Sequence, residues 1–140
     1  MTDLQRLYWV LDRWDYKTID KAPKPCQHVF ACFATEANVN NGGFASLYYT
    51  SCRVIVHLVA EAFSAVGLET LADITRQANE FYKDVYDEYG DLAPGKEFSE
   101  EEETYSDALD RRFYAECKAH GGLEDILVAY IHENAEFFGA

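Results

Sequence analysis

The chain has 140 residues and a formal net charge of −13 at pH 7, with 49% hydrophobic and 15% aromatic residues. That length suits one domain with a self-sufficient core, and the apolar content excludes a disordered acidic chain. So strong a negative balance argues against direct binding to nucleic acid or to an acidic membrane surface, both of which need a basic face.

Leu4, Leu7, Tyr8, Leu11 and Trp14 recur at the i, i+3, i+4, i+7 spacing of an amphipathic helix, and Thr2 and Gln5 sit at capping-box spacing ahead of it. Pro23 and Pro25 interrupt the pattern, and Pro25 suits the first turn of a second helix that would bury Cys26, Val29, Phe30, Phe33 and Ala37. Asn40, Asn41, Gly42 and Gly43 should end that helix at a junction, because Asn and Gly tolerate a left-handed stop. A short helix over 44–51 follows, then an apolar one over 54–66 stopped by Gly67. The paucity of charge in 54–66 marks it as the central core helix, leading the core together with the final helix over Leu123–Ile131.

Leu71, Ile74, Ala78, Phe81, Val85 and Tyr89 form the next stripe, closed by Gly90 and Pro94. Ser99 and Glu102 repeat the capping-box spacing, and Tyr105, Leu109, Arg112 and Phe113 continue that helix, with the Arg112 stem expected over apolar surface. After Gly121 and Gly122, Leu123, Ile126, Leu127, Tyr130 and Ile131 define a final helix ending near Phe137 and Phe138. No strand alternation, repeat or linker interrupts the series. The expected fold is all-α, a single compact domain over 1–140 with six or seven helices.

The charge is unevenly placed. Residues 80–110 hold twelve acidic side chains and two basic ones, a net of −10. Glu80, Asp84, Asp87, Glu88 and Asp91 recur at helical spacing, so a continuous helix would spread them over roughly 16 Å, one per ~4 Å. A DNA strand carries a phosphate about every 3.4 Å, so such a ladder can stand in for a run of phosphates. A solvated face is the plainer account of any acidic helix. Glu100, Glu101, Glu102 and Glu103 likewise have a plain account as first-turn residues favoured by the helix dipole.

No catalytic constellation emerges. His28 and Cys32 are four apart on one helix, but no third group orients them, and core packing explains them more simply. His57, at the same spacing from Glu61, reads as a core histidine, and His120 and His132 show no partner. EF-hand ligands, HExxH, GxGxxG, GxSxG and phosphate-loop patterns are missing. The four cysteines lack metal-ligand spacing and read as free buried thiols. No signal peptide or apolar run of membrane-spanning length is apparent. The expectation is a cytoplasmic protein that is not an enzyme and holds neither metal nor organic cofactor.

Asn38-Val39-Asn40-Asn41-Gly42-Gly43-Phe44 followed by Leu47-Tyr48-Tyr49 resembles the signature of a family of small acidic bacterial DNA-mimic proteins. In that pattern a helix ends in Asn-Gly-Gly-Phe, followed by Gln, two aromatics and often Asn; here Ser46, Leu47 and Thr50 depart from it. Leu109-Asp110-Arg111-Arg112-Phe113-Tyr114, residues 127–131 and Glu133-Asn134 resemble the family's C-terminal helices, so the likeness extends from about residue 25 to 138. It implies an all-helical homodimer whose acidic surface occupies the DNA-binding face of a basic DNA-binding protein, such as a transcription regulator, and blocks it. On that reading Glu80, Asp84, Asp87, Glu88 and Asp91, with Glu100, Glu101, Glu102 and Glu103 as a second patch, contact the partner. The alternative reading of the same charge is an immunity protein that plugs a basic toxin such as a nuclease.

Overall fold

Helix α2 (Lys24–Gly42) carries the fold. Pro25 lies in its first turn, where the missing N–H costs nothing. The helix buries Cys26, Val29, Phe30, Ala31, Cys32, Ala34, Thr35 and Val39, residues that recur around most of its circumference. Several are small, so neighbouring helices approach it from more than one side. The computed structural model describes residues 1–139. Around α2 are α1 (Asp3–Arg13), α3 (Ala45–Tyr49), α4 (Val56–Ala65), α5 (Glu69–Phe81), α6 (Glu100–Ala119) and α7 (Glu124–Glu133), seven α-helices among the described residues. Short 3-10 turns at Ile19–Lys21, Ser51–Ile55 and Ala135–Phe137 complete the path. The fold is all-α and forms one compact domain, as the periodicity predicts.

Helix α4 lies between α2 and α5, α5 packs on α6, and α1 bridges α2 and α7. The centre of the core is therefore α2 with α4. The expectation that 54–66 and the last helix lead the core holds only in part: 123–131 buries Leu123, Leu127 and Ile131, but it packs on α1 and α2 at the side of the α2–α4 centre. Paucity of charge was the misleading criterion: α2 also carries few charges, Lys24 at its start and a half-buried Glu36 further on, and its small residues permit burial all round. Within α2, Ala37 is exposed and Phe33 half-buried, contrary to expectation. On α1 the buried residues are Leu7 and Val10, whereas Leu4 and Tyr8 face solvent.

Both capping boxes form. Thr2 Oγ1 accepts from Gln5 N at 3.1 Å while Gln5 Oε1 accepts from Thr2 N at 2.8 Å. Ser99 and Glu102 make the same reciprocal pair at 3.2 and 3.0 Å. Each satisfies two donors left open at a helix start.

The reversal after α2 joins the segment around Gly43 and Phe44 to the segment 109–114 of α6. Gly43 adopts φ 75° and ψ 178°, a conformation essentially reserved for glycine, and its N–H reaches Val39 O at 2.8 Å. Phe44 N–H then donates to Asp110 Oδ1 on α6 at 2.8 Å. A Cβ on Gly43 would collide with that carboxylate. Phe44 is fully buried edge-on to Phe113, with ring centroids 5.2 Å apart, and Tyr114 O–H donates to Val39 O at 2.7 Å. Ser46 Oγ lies 2.9 Å from the Asn38 carbonyl and 2.8 Å from the Gly43 carbonyl, so its single hydroxyl proton is shared between them. These residues build a corner between α2, α3 and α6.

Asp110 is costly to bury: desolvation raises its pKa, the Phe44 N–H opposes that rise, and Asp107 adds to it. Replacing Asp110 with Ala leaves the Phe44 donor open and should lower unfolding stability by about 1–3 kcal/mol. Asp110→Asn keeps an acceptor without the charge and should stay close to wild type in urea unfolding. Gly43→Ala should destabilise by at least about 1 kcal/mol, since it forces a Cβ into a positive-φ position.

Candidate functional site

Helix α5 stops at Phe81, not beyond Tyr89. Glu80 lies on its last turn, while Asp84, Asp87, Glu88 and Asp91 fall in an irregular segment over 82–99. The helical ladder of five carboxylates expected from spacing is therefore not formed. Its physical cause is local. Tyr82 and Val85 both turn inward to bury, Asp84 takes φ 61°, and the chain folds back so that Tyr86 pairs with Leu92 in an antiparallel bridge. Asp and Asn tolerate that left-handed conformation better than most residues.

Asp87 organises the turn. Its Oδ1 accepts from Tyr89 N at 2.8 Å and from Asp91 N at 3.0 Å, and its own N–H donates to Asp91 O at 2.7 Å. Ala93 N donates to Val85 O at 2.9 Å, closing the base of the loop. Gly90, at φ 83°, lies so close to the Tyr49 carbonyl that a side chain there would clash. Tyr86 packs edge-on to Tyr49 and lies parallel to Tyr82, which itself stacks on Tyr48 at 4.7 Å. The loop is held down by tyrosines, and its tip carries the charge.

The second patch begins α6. Ser99 caps the helix and Glu100, Glu101, Glu102 and Glu103 occupy its first turn, all exposed. Consecutive helical residues point about 100° apart, so the four glutamates surround the helix start and do not share one face. Glu102 is committed to the cap, and the Ser99 backbone N–H, then its hydroxyl, holds its carboxyl below the ordinary value. Phe81, Phe98 and Tyr105 brace this end, with ring centroids 5.3 and 5.2 Å from Phe81. They tie the end of α5 and the end of the loop to the start of α6, bringing the two patches onto neighbouring segments.

Of the twelve acidic residues in 80–110, all but Asp110 are exposed. None takes part in any ion pair among the described residues: those pairs join Arg6 to Asp3, Lys24 and His28 to Glu61, Arg76 to Asp73, His120 to Glu116 and His132 to Asp3. Asp87 and Glu102 are engaged in backbone hydrogen bonds. Glu80, Asp84, Glu88, Asp91, Glu100, Glu101 and Glu103 make no side-chain hydrogen bond to the rest of the chain. The result is a dense, unneutralised negative surface whose field reaches about a Debye length, some 8–10 Å, into solution.

Tyr89 and Leu92 escape the sequence pattern. Tyr89 reads there as part of a buried stripe, yet it is 75% exposed at the loop tip, and Leu92 is 56% exposed. The signal was present in the run Asp87-Glu88-Tyr89-Gly90, whose Asp and Gly are turn formers, followed by Pro94-Gly95.

The histidines and cysteines singled out in the sequence fall outside this acidic surface. His28 does not pair with Cys32; its Nδ1 lies 2.8 Å from Tyr130 Oη and its Nε2 3.7 Å from Glu61 Oε1. Tyr130 O–H can donate to Nδ1, while the buried Nε2 faces Glu61 at ion-pair distance without a hydrogen-bond partner. His57 is exposed, contrary to the expectation of a core histidine, because Glu61 turns toward Lys24 and His28. Arg112 is exposed and donates to Gln77 Oε1 at 2.8 Å. All four cysteines are free and buried, and burial pushes Cys26 up to about 11 and Cys52 and Cys117 to about 12, far from a reactive thiolate. No cluster of three metal-ligating side chains occurs among the described residues, and no helix there is long and apolar enough to cross a membrane.

Burial lowers the pKa of His28 despite the opposing pull of Glu61. The folded state therefore binds this proton less readily than the unfolded chain, so stability is lost as pH falls below about 6.5. Thermal unfolding of wild type and His28→Gln across pH 5–8 should show a shallower acid-side loss in the variant. Identical profiles would remove His28 as the cause.

Residues 20–134 match the family model described as DMP19-like protein. No curated protein and no solved structure matches the chain. The match covers α2 through α7, including the Gly43 reversal, the acidic loop and the start of α6. This chain belongs to the DMP19-like protein family.

Proposed function

We propose that this protein binds the DNA-contacting surface of a basic DNA-binding protein, such as a transcription regulator, and keeps DNA from it. One observation carries the reading: eleven exposed carboxylates on adjoining segments, without an ion-pair partner among the described residues. A fold selected for stability alone gains nothing from such a concentration, because like charges repel one another and oppose the compact state. A partner rich in Arg and Lys would supply the missing counter-charges. Each carboxylate would occupy the position of a phosphate oxygen and accept from guanidinium or ammonium donors. The homodimer implied by the resemblance, and the cytoplasmic setting expected from the sequence, belong to the same proposal.

The loss of the helical ladder changes how the mimicry works. The charges do not follow phosphate spacing along one helix axis. Glu80, Asp84, Glu88 and Asp91 cluster around a folded loop, and Glu100, Glu101 and Glu103 surround the neighbouring helix start. Matching is then a matter of field and local density, with the partner's flexible Arg and Lys side chains adjusting to it. An exposed ion pair contributes only about 0.2–1 kcal/mol. Capture therefore needs many pairs together, and much of their effect falls on the association rate.

The test is capture of basic proteins from cell extract at low salt by wild type and by a six-site variant. That variant combines Asp84→Asn, Glu88→Gln, Asp91→Asn, Glu100→Gln, Glu101→Gln and Glu103→Gln, and spares Asp87 and Glu102, which hold the loop and the helix cap. Wild type should recover a basic duplex-binding protein, with capture falling as salt rises. The variant should keep its helical circular dichroism and lose most of the capture. Equal recovery by both, or recovery of no DNA-binding protein, contradicts the proposal; abolition of a cognate toxin's catalysis would favour the immunity reading.

A further inference from the structure

We propose that Tyr89 and Leu92 form the anchor of the partner interface, an apolar tip inserted into the basic surface while the surrounding carboxylates pair with its rim. This rests on the reading of the acidic face as a partner site, and adds to it which residues retain the partner once charge has brought it in. The reasoning begins with exposure. Tyr89 is the most exposed of the large hydrophobic side chains, at 75%, and Leu92 follows at 56%. Two such groups on one short loop lose apolar contact with nothing in the chain to cover them. Turn tips are ordinarily built from small polar residues, so an aromatic and a leucine there need a reason.

The loop that presents them is braced from below. The Asp87 carboxylate fixes the Tyr89 and Asp91 backbone N–H groups, the Tyr86 and Leu92 backbones pair, and Gly90 sits against the Tyr49 carbonyl. Tyr86 is clamped between Tyr49 and Tyr82. A side chain carried on such a support loses little conformational freedom on binding, which is what lets one aromatic contribute heavily to an interface. Its neighbours Glu88 and Asp91, with Asp84 at the loop base, are exposed acids. An apolar centre with a charged rim is the usual anatomy of an energetic hot spot, and Tyr is among the residues enriched there.

The charge surrounding the tip selects its occupant. Glu88 and Asp91 draw Arg and Lys to the edge of the Tyr89 ring, whose face offers a cation–π contact to a guanidinium and whose edge packs on aliphatic stems. The matching surface is one whose basic side chains surround a shallow apolar or aromatic floor, as in a protein that grips phosphates while packing against sugars and bases. Acidic patches and apolar tip thus divide the work. The charges govern how fast the complex forms, and the tip governs how long it lasts.

The test uses the full chain and the basic DNA-binding protein it captures, with association and dissociation measured by surface plasmon resonance at several salt concentrations. Tyr89→Ser with Leu92→Ser should raise the dissociation rate about tenfold or more, leaving the association rate and its salt dependence near wild type. Tyr89→Phe should retain slow dissociation, because the ring is kept. The six-site carboxylate variant should show the reverse pattern, with slower association and a flatter salt dependence. Both tip residues are exposed, so the double variant should match wild type in its unfolding midpoint. Dissociation unchanged in the double variant, while the carboxylate variant loses association, overturns the anchor and leaves the acidic-face reading standing. Binding unaffected in both variants overturns both. A change in sedimentation of the free double variant would show that the tip covers a second copy of this chain, which also contradicts the proposal.

Discussion

The hydrogen bond from Phe44 N–H to Asp110 Oδ1 fixes the geometry on which the rest of the molecule depends. It crosses 66 residues of sequence at the point where α2 has just ended and α3 begins. Gly43 makes it possible by taking a backbone conformation closed to other residues and by leaving room for the carboxylate. Around this bond, Phe44 meets Phe113 and Tyr114 meets the Val39 carbonyl, so α6 is seated on the α2–α3 corner by three contacts of different kinds. The Asn-Gly-Gly-Phe block and the Leu-Asp-Arg-Arg-Phe-Tyr block are two halves of one joint. The joint accounts for Gly43, Phe44, Asp110, Phe113 and Tyr114, with no need for a direct role in binding.

Seating α6 in this way has a consequence for its other end. Its first fully buried side chain is Leu109, so roughly nine residues, or about 13 Å of helix, precede the point where the core takes hold. That stretch carries Glu100, Glu101, Glu102, Glu103 and Asp107. It is kept helical by the Ser99 capping box and steadied by Tyr105 against Phe81. The acidic loop is built on the same plan, with aromatic residues below, an Asp-stabilised turn above and carboxylates outward. Self-repulsion among these acids would loosen a segment held by charge pairs; here the support is apolar packing and backbone hydrogen bonding, which the charge does not consume. The carboxylates are thus left free for an external partner.

Much of the fold was legible because it depends on local signals. Thr2 with Gln5 and Ser99 with Glu102 are complete within four residues, and Pro25, Gly43 and Gly67 act through their own backbone preferences. Where tertiary packing decides, the pattern misled. Apolar spacing at 81, 85 and 89 suits a helix, but Tyr82 and Val85 gain more by turning inward together against Tyr48 and the core, and the helix stops. Leu4 and Tyr8 fit the expected stripe of α1 as well as Leu7 does, yet the packing of α1 on α2 and α7 buries Leu7 together with Val10, which lies outside that stripe. The central place of α2 was hidden because its buried residues lie around most of its circumference and leave no single apolar stripe. For the candidate site, the identity and exposure of the carboxylates were readable from composition, whereas their arrangement was not. Asp87 as a turn builder and Tyr89 as an exposed tip both depend on where the chain folds back.

The central claim is that the acidic surface and DNA compete for one site on a basic protein. The most direct measurement is displacement of a fluorescent duplex from the captured DNA-binding protein, followed by anisotropy while this chain is added at fixed salt. The account predicts full release of the duplex, with more chain required as the duplex concentration is raised. A stable ternary complex that keeps the duplex bound at saturating chain would contradict it.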